Sequence, residues 1–299
     1  MSPEDGSEPV VHRVAFEVPA DRGILRGDIR HLAHDSTEDA QGLANSVIVV
    51  CHGFKGFKDW GFFPYVAESL ASRTGATVVS FNFSGSGIGP DLETFTDLEG
   101  FARNTFSREV SDLQAILDGA GAGQLGDVRL DPPGSVGVLG HSRGAAAAIL
   151  VGARRPEIRA VATWAGIGSV YRYEDWFAES LGDGDEMEVL NARTGQRLPI
   201  YRDVLDDLRA NRAELDMQEA AGRLGPALLV VHGAADEAVP VAEAYALAAA
   251  ARNAELAVID GAGHTMDASH PFPGTNPRLE EAVRRTATHF RSLLARERT

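Results

Sequence analysis

Short β-branched apolar runs alternate along the chain with longer alanine- and leucine-rich stretches, the pattern of helices wrapped around a mostly parallel sheet. The runs "SVIVVCH", "ATVVSFNF", "SVGVLGH", "RAVATWAG", "ALLVVHG" and "ELAVID" are apolar almost throughout rather than at every second position. A parallel strand, covered on both faces, requires that continuity. Ahead of them "HRVAFEV" and "ILRGDIRH", separated by "PADRG", predict an antiparallel hairpin at the sheet edge. Helices are predicted around "FPYVAESLAS", "ARNTFSREVSDLQAILD", "GAAAAILVGA", "VAEAYALAAAARN" and "RLEEAVRRTATHFRSLLARE". The expected architecture is an α/β fold with a mostly parallel central sheet flanked by helices. No internal repeat interrupts it.

One segment breaks the alternation. Between the strand ending near Gly166 and the one starting near Ala227 lies the polar, acidic piece "EDWFAESLGDGDEMEVLNARTGQ", far longer than an ordinary strand-to-helix connection. Residues 167–224 are therefore expected to form a cap inserted after the sixth strand, over the strand ends. No shift in composition divides the 299 residues, so a single domain spanning 1–299 is expected.

Charge narrows the partners. A net charge of −15 repels nucleic acid and anionic membrane, and no basic patch offsets it. The polar start "MSPEDGSEPVVHR" has no apolar signal core, and no stretch of the chain is apolar over a membrane-spanning length. The single cysteine, Cys51, has no internal partner and fits a reducing compartment. A cytoplasmic protein acting on a small molecule is the expectation.

The chemistry centres on "VLGHSRG". A strand that turns sharply into a helix needs small residues at the bend, and Gly140 and Gly144 flank Ser142 there. Ala145 to Ala148 let the following helix lie against the sheet. A bare G-x-S-x-G is a weak signal in a chain with 32 glycines; its place between a predicted strand and a predicted helix gives it weight. A serine hydroxyl also needs a base, and the base needs an orienting acid. Asp236 in "VVHGAADEAVP" and His264 in "IDGAGHTM" follow in that chain order, each just past a predicted strand. Alone, either would read as a turn former or a solvated loop residue; Glu237 and Asp260 remain alternatives for the acid. An oxyanion needs two backbone N–H groups, expected from Arg143 and from Phe54 in "VVCHGFKGFKDW".

With "HGF", "GHSRG", "HGAADEAVP" and "GAGHTM" in this order, the chain from about Val14 resembles the α/β-hydrolase superfamily. Within it the sequence is similar to cinnamoyl or feruloyl esterases and to dienelactone-hydrolase-like proteins. Dienelactone hydrolases proper carry a cysteine nucleophile where this chain has serine. The resemblance implies a serine hydrolase that cleaves a carboxylic ester with Ser142, His264 and Asp236 through an acyl-enzyme, without metal or organic cofactor. A thioesterase, acyltransferase or peptidase would use the same groups, and a non-catalytic binding protein on the same fold is the alternative of another class.

Other signals carry less. "FNFSGSGIGP" lacks the final glycine of a dinucleotide fingerprint, and Pro90 stands where a phosphate-binding helix would open. His31, His34 and Asp35 could ligate a metal, but histidines three apart on a strand point to opposite faces, so a solvated hairpin end is expected. Cys51 reads as a small buried residue, His141 as a packing residue, and Lys55 and Lys58 as solvated lysines that could otherwise attract an anion at the site entrance. In the cap, Tyr171, Tyr173, Trp176 and Phe177 would either line an acyl pocket or form the cap's own core. Asp183, Asp185, Glu186 and Glu188 read as a solvated face.

Overall fold

The computed structural model describes residues 10–21, 23–33 and 43–295. In chain order the elements are β1 (Val11–Ala20), β2 (Gly23–Leu32), β3 (Ser46–Cys51), α1 (Phe63–Thr74), β4 (Thr77–Asn82), α2 (Leu98–Ala102) and α3 (Phe106–Gly121). Then come β5 (Gln124–Leu125), β6 (Val128–Arg129), β7 (Ser135–His141), α4 (Gly144–Gly152) and β8 (Ile158–Trp164). The chain continues with α5 (Glu174–Leu181), β9 (Glu186–Leu190), β10 (Arg197–Tyr201), α6 (Asp203–Ala210) and α7 (Met217–Leu224), and ends with β11 (Leu228–Gly233), α8 (Val241–Ala250), β12 (Glu255–Ile259) and α9 (Pro277–Leu294). No helix among the described residues is long and apolar enough to cross a membrane.

Among the described residues the main sheet has eight strands in the order β1-β2-β4-β3-β7-β8-β11-β12. From β4 to β12 every pairing is parallel, while β1 pairs β2 and β2 pairs β4 antiparallel, so the hairpin forms one edge. Alternate residues of the apolar runs feed two cores. Val47, Val49 and Cys51 of β3 pack with α3, α4 and α8, whereas Ile48 and Val50 pack with α1 and α9. Every residue of α4 is buried, which its alanines permit because a larger side chain would hold the helix off the sheet.

Local chemistry sets the helix ends. The predicted helix from Ala102 is in fact two, because Thr105 turns extended and its hydroxyl accepts the Arg108 N–H, starting α3 afresh. The Asn276 side chain likewise accepts the N–H groups of Arg278 and Leu279 at the head of α9.

The segment between β8 and β11 is folded rather than irregular. Its β9–β10 hairpin buries Met187, Val189, Leu198 and Ile200 and turns the intervening glutamates to solvent. It rests on the loop after β4 and on α2: Gln196 Nε2 donates to Phe95 O at 3.1 Å, and the Tyr201 hydroxyl to Glu99 at 2.9 Å. Lys58, expected in solvent, is instead 2 % exposed and ion-paired with Asp28 and Asp59. Its charge is neutralised by a hairpin thirty residues earlier, a pairing that no local pattern announces. His31 Nδ1–H donates to Leu32 O and the ring packs on His12, while His34 and Asp35 lie outside the described residues.

Candidate active site

β7 ends at His141, and the chain bends into α4 through Ser142, whose φ is +54°. That left-handed conformation is costly for a residue with a side chain and lifts the hydroxyl off the strand. Crowding explains the flanking glycines. A Cβ on Gly140 would stand 2.5 Å from Gly144 O, and one on Gly144 would stand 2.4 Å from His52 O. The Ser142 N–H donates to Trp164 O of β8 at 2.9 Å, tying the bend to the neighbouring strand.

A continuous chain of hydrogen bonds leaves this hydroxyl. Ser142 Oγ lies 3.0 Å from His264 Nε2, and His264 Nδ1 lies 2.8 Å from Asp236 Oδ2. With Nδ1–H donating to the carboxylate, Nε2 is the acceptor for the serine proton. Asp236 Oδ1 accepts the N–H groups of Ala238 and Val239, each at 2.9 Å. Burial pushes this carboxyl up, but hydrogen bonds from His232, His264 and Val239 outweigh it and hold Asp236 well below the ordinary carboxylate range. Glu237 and Asp260, by contrast, are exposed.

The loop after β3 abuts the serine: a Cβ on Gly53 would meet Ser142 Cβ at 2.9 Å. His52 fixes that loop. Its Nδ1–H donates to Gly53 O at 2.9 Å and its Nε2 accepts the Phe83 N–H at 3.2 Å, so the ring is neutral, and burial pulls its pKa down to about 4. Among the described residues nothing accepts the backbone N–H of Phe54 or of Arg143. The Arg143 side chain turns inward instead, pairing with buried Glu109 at 2.8 Å and lying 4.0 Å over the Phe106 ring. Its guanidinium also approaches the Phe54 ring, at 5.6 Å, so both loops that carry these N–H groups share one packed base.

A sequence profile of the alpha/beta hydrolase family matches residues 48–276. The chain belongs to that family. No curated protein sequence matches it significantly. Among solved structures it is similar to Est1E from Butyrivibrio proteoclasticus, determined with ferulic acid bound, at TM-score 0.70 and 19 % identity over 94 % of this chain and 100 % of that one. The esterase domain of a Rhodothermus marinus protein superposes at TM-score 0.62 and 20 % identity, covering 95 % and 99 % of the two chains. A dienelactone hydrolase from Anabaena variabilis does so at 0.56 and 16 %, covering 96 % and 99 %. At these identities the likeness is one of fold.

The aromatics between β8 and β11 do not act as one group in this family member. Phe177 is 3 % exposed and lies in the apolar core, whereas Trp176 is 42 % exposed. The Tyr171 hydroxyl donates to Arg212 O at 3.0 Å. Burial raises the pKa of the Tyr173 phenol, against the pull of Arg172, whose guanidinium lies 4.7 Å over its ring.

Sequence reasoning missed three supporting side chains. His141 is more than packing: its Nε2–H donates to His264 O at 3.0 Å while its ring sits edge-on to Phe62 and Phe63. Burial pulls its pKa down to about 3, which keeps it a neutral donor. His232 Nε2–H donates to Val239 O at 2.8 Å and lies 3.3 Å from Asp236 Oδ2. Glu109, on α3, anchors Arg143 from a helix more than thirty residues upstream. The partners of His141 and Glu109 are remote in sequence; His232 lies four residues before Asp236, and the "HG" preceding the acid was its only signal.

Proposed function

We propose that the protein is a serine hydrolase of carboxylic esters, working through an acyl-enzyme on Ser142. The observation that carries this is the hydrogen-bond chain Ser142 Oγ–His264 Nε2–Asp236, at 3.0 and 2.8 Å, beside two backbone N–H groups free to donate. As Ser142 Oγ attacks the ester carbon its proton passes to His264 Nε2, and the N–H groups of Phe54 and Arg143 hold the oxyanion. His264 returns that proton to the departing alcohol oxygen as the C–O bond breaks. Water then repeats the sequence on the acyl-enzyme, giving up one proton to His264 and releasing the acid as Ser142 recovers its hydrogen. Asp236, kept ionised, orients His264 and stabilises its cation. The cycle closes with protein groups alone.

In this reading the chain is one domain and residues 167–224 are its cap, where selectivity resides because the machinery beneath is shared across many substrates. Among proteins of similar fold, an esterase domain and Est1E with ferulic acid bound support an ester over a thioester or amide. Buried, unpaired Cys51 suits a reducing compartment such as the cytoplasm. The test is a fluorophosphonate probe with p-nitrophenyl esters, acyl-thioesters and aminoacyl amides in parallel. Ester turnover and labelling, both abolished in a folded Ser142→Ala variant, are expected. Near-parental turnover by that variant would overturn the nucleophile assignment, and thioester or amide turnover above ester turnover would move the substrate class.

A further inference from the structure

Two cations link the loop after β3 to the β9–β10 hairpin, each reaching a backbone oxygen of the other segment. Lys55 directly follows Phe54, with its backbone at φ +56°, and its Nζ donates to Leu190 O at 3.1 Å. Arg193, in the hairpin turn, reaches back so that its Nη2 lies 3.4 Å from Lys55 O. The guanidinium stands 5.6 to 5.9 Å from the ring centres of Phe57, Trp60 and Phe95. Trp60 contributes a further donor: its Nε1–H is buried and has no acceptor.

The charge bookkeeping makes this pair unusual. Acids outnumber bases by 43 to 28, and other arginines of the same segment find carboxylates, Arg172 with Glu243, Arg202 with Asp185 and Arg212 with Glu174. Neither Lys55 nor Arg193 has an ion pair among the described residues, and neighbouring Asp59 is taken by Lys58. Burial lowers the pKa of both cations, and Arg193 lowers that of Lys55 further. His270, stacked on Trp60 at 6.0 Å, is also lowered, first by burial and then by Arg193, with Glu93 acting against them. Two like charges partly withdrawn from water repel each other, and an anion beside both relieves that repulsion.

We propose that Lys55 and Arg193 bind a carboxylate carried by the ester substrate. The proposal rests on Ser142 being the nucleophile, since Gly53, two residues before Lys55, abuts that serine. With the carbonyl oxygen at the Phe54 N–H, a carboxylate a few bonds away falls within the reach of the next side chain, and Phe57, Trp60 and Phe95 offer apolar cover for the spacer. The substrate class is a monoester of a dicarboxylic acid, or an ester whose alcohol bears an acid.

Matched substrates separate these sources. p-Nitrophenyl glutarate monoester against p-nitrophenyl valerate places the charge on the acyl side; 4-carboxyphenyl butyrate against phenyl butyrate places it on the alcohol side. In one arm the ratio of kcat/KM for the charged over the neutral member should fall roughly tenfold or more in Arg193→Met and in Lys55→Met, the scale of a hydrogen bond to a charged group. Arg193→Lys should keep most of it, and 0.5 M salt should shrink it in the parent. A second readout does not need ester turnover: glutarate should slow fluorophosphonate labelling of Ser142 in the parent and lose that effect in both Met variants. Neutral esters cleaved with ratios and glutarate protection unchanged by the Met substitutions would overturn the carboxylate site and leave the esterase reading standing. Glutarate protection that vanishes in the Met variants, with no ester cleaved, would keep the site and overturn the esterase reading.

Discussion

At the scale of single residues, the site is a set of groups each held in one protonation state by a different cause. Ser142 is strained at φ +54° yet pinned through its N–H to Trp164 O, so the exposed hydroxyl persists because its neighbours leave it no alternative. Asp236 is buried and nevertheless ionised, because three N–H groups donate to its two oxygens and His232 Nε2 lies 3.3 Å away. Replacing it with asparagine inverts the preferred imidazole tautomer, and kcat should fall by about three to four decades, as loss of the orienting carboxylate does in such triads. Glu237→Gln and Asp260→Asn, at exposed positions, should leave steady-state kinetics near parental. His141 acts one step further out, through the backbone of His264. His141→Phe keeps an aromatic ring against Phe62 and Phe63 but removes the donor, so kcat should drop about five- to thirtyfold with KM little changed, the scale of about 1–2 kcal/mol for one buried hydrogen bond. A change confined to KM would assign His141 to substrate contact instead.

At the scale of elements, what could be read in advance was what local pattern determines. β3, β4, β7, β8 and β11 were legible because strands covered on both faces are continuous apolar runs; β12, an edge strand with exposed Glu255 and Val258, was legible from its short β-branched run; and the serine, histidine and acid that lie together in the structure each come soon after a predicted strand. The β9–β10 hairpin was not. Its alternation of buried Met187 and Val189 with exposed Glu186 and Glu188 spans only five residues inside an acidic stretch, where the glutamates fit a solvated face as well as they fit period two. Lys58 and Glu109 escaped for a different reason: their charges are matched by Asp28 and Arg143, which folding alone brings near. The bend between β7 and α4 is the element junction most sensitive to volume. Gly144→Ala puts a Cβ within 2.4 Å of His52 O and 2.7 Å of Cys51 O, backbone atoms that cannot swing aside. It should lower stability by about 1–3 kcal/mol, the ordinary cost of overpacking, and reduce activity by shifting the loop that carries Phe54. Gly121→Ala, at the end of α3 with nothing within 4 Å of its Cβ, is the matched control and should leave the melting temperature unchanged or raised.

At the scale of the whole molecule, two opposing effects govern stability as pH falls. The net charge of −15 means that mild acid relieves self-repulsion, which would stabilise the fold. Buried neutral histidines act the other way. His52 and His141 are pulled down to about 4 and about 3 by burial, and His289 is lowered for the same reason. Unfolded, each takes up a proton near its ordinary pKa, roughly 6.5. Their contribution is therefore complete above that value and is lost as pH falls toward the folded pKa, because only the unfolded chain binds the proton in between. Asp112 partly compensates. Burial raises it to about 6, so between its ordinary range and that value the folded state holds a proton that the unfolded state lacks, and acid favours folding there. One such carboxyl offsets one of the three histidines, and the two that remain destabilise by up to about 2.7 kcal/mol per pH unit below pH 6. Surface repulsion is weaker, since at 0.15 M salt it is screened beyond about 8 Å. The unfolding free energy from urea titrations should accordingly fall between pH 7 and pH 5, and His141→Phe, having no ring to protonate, should show a visibly shallower fall. Stability that rose toward pH 5 would mean that relief of surface charge outweighs the buried rings; a slope identical in His141→Phe would mean that this ring is protonated in the fold as readily as out of it.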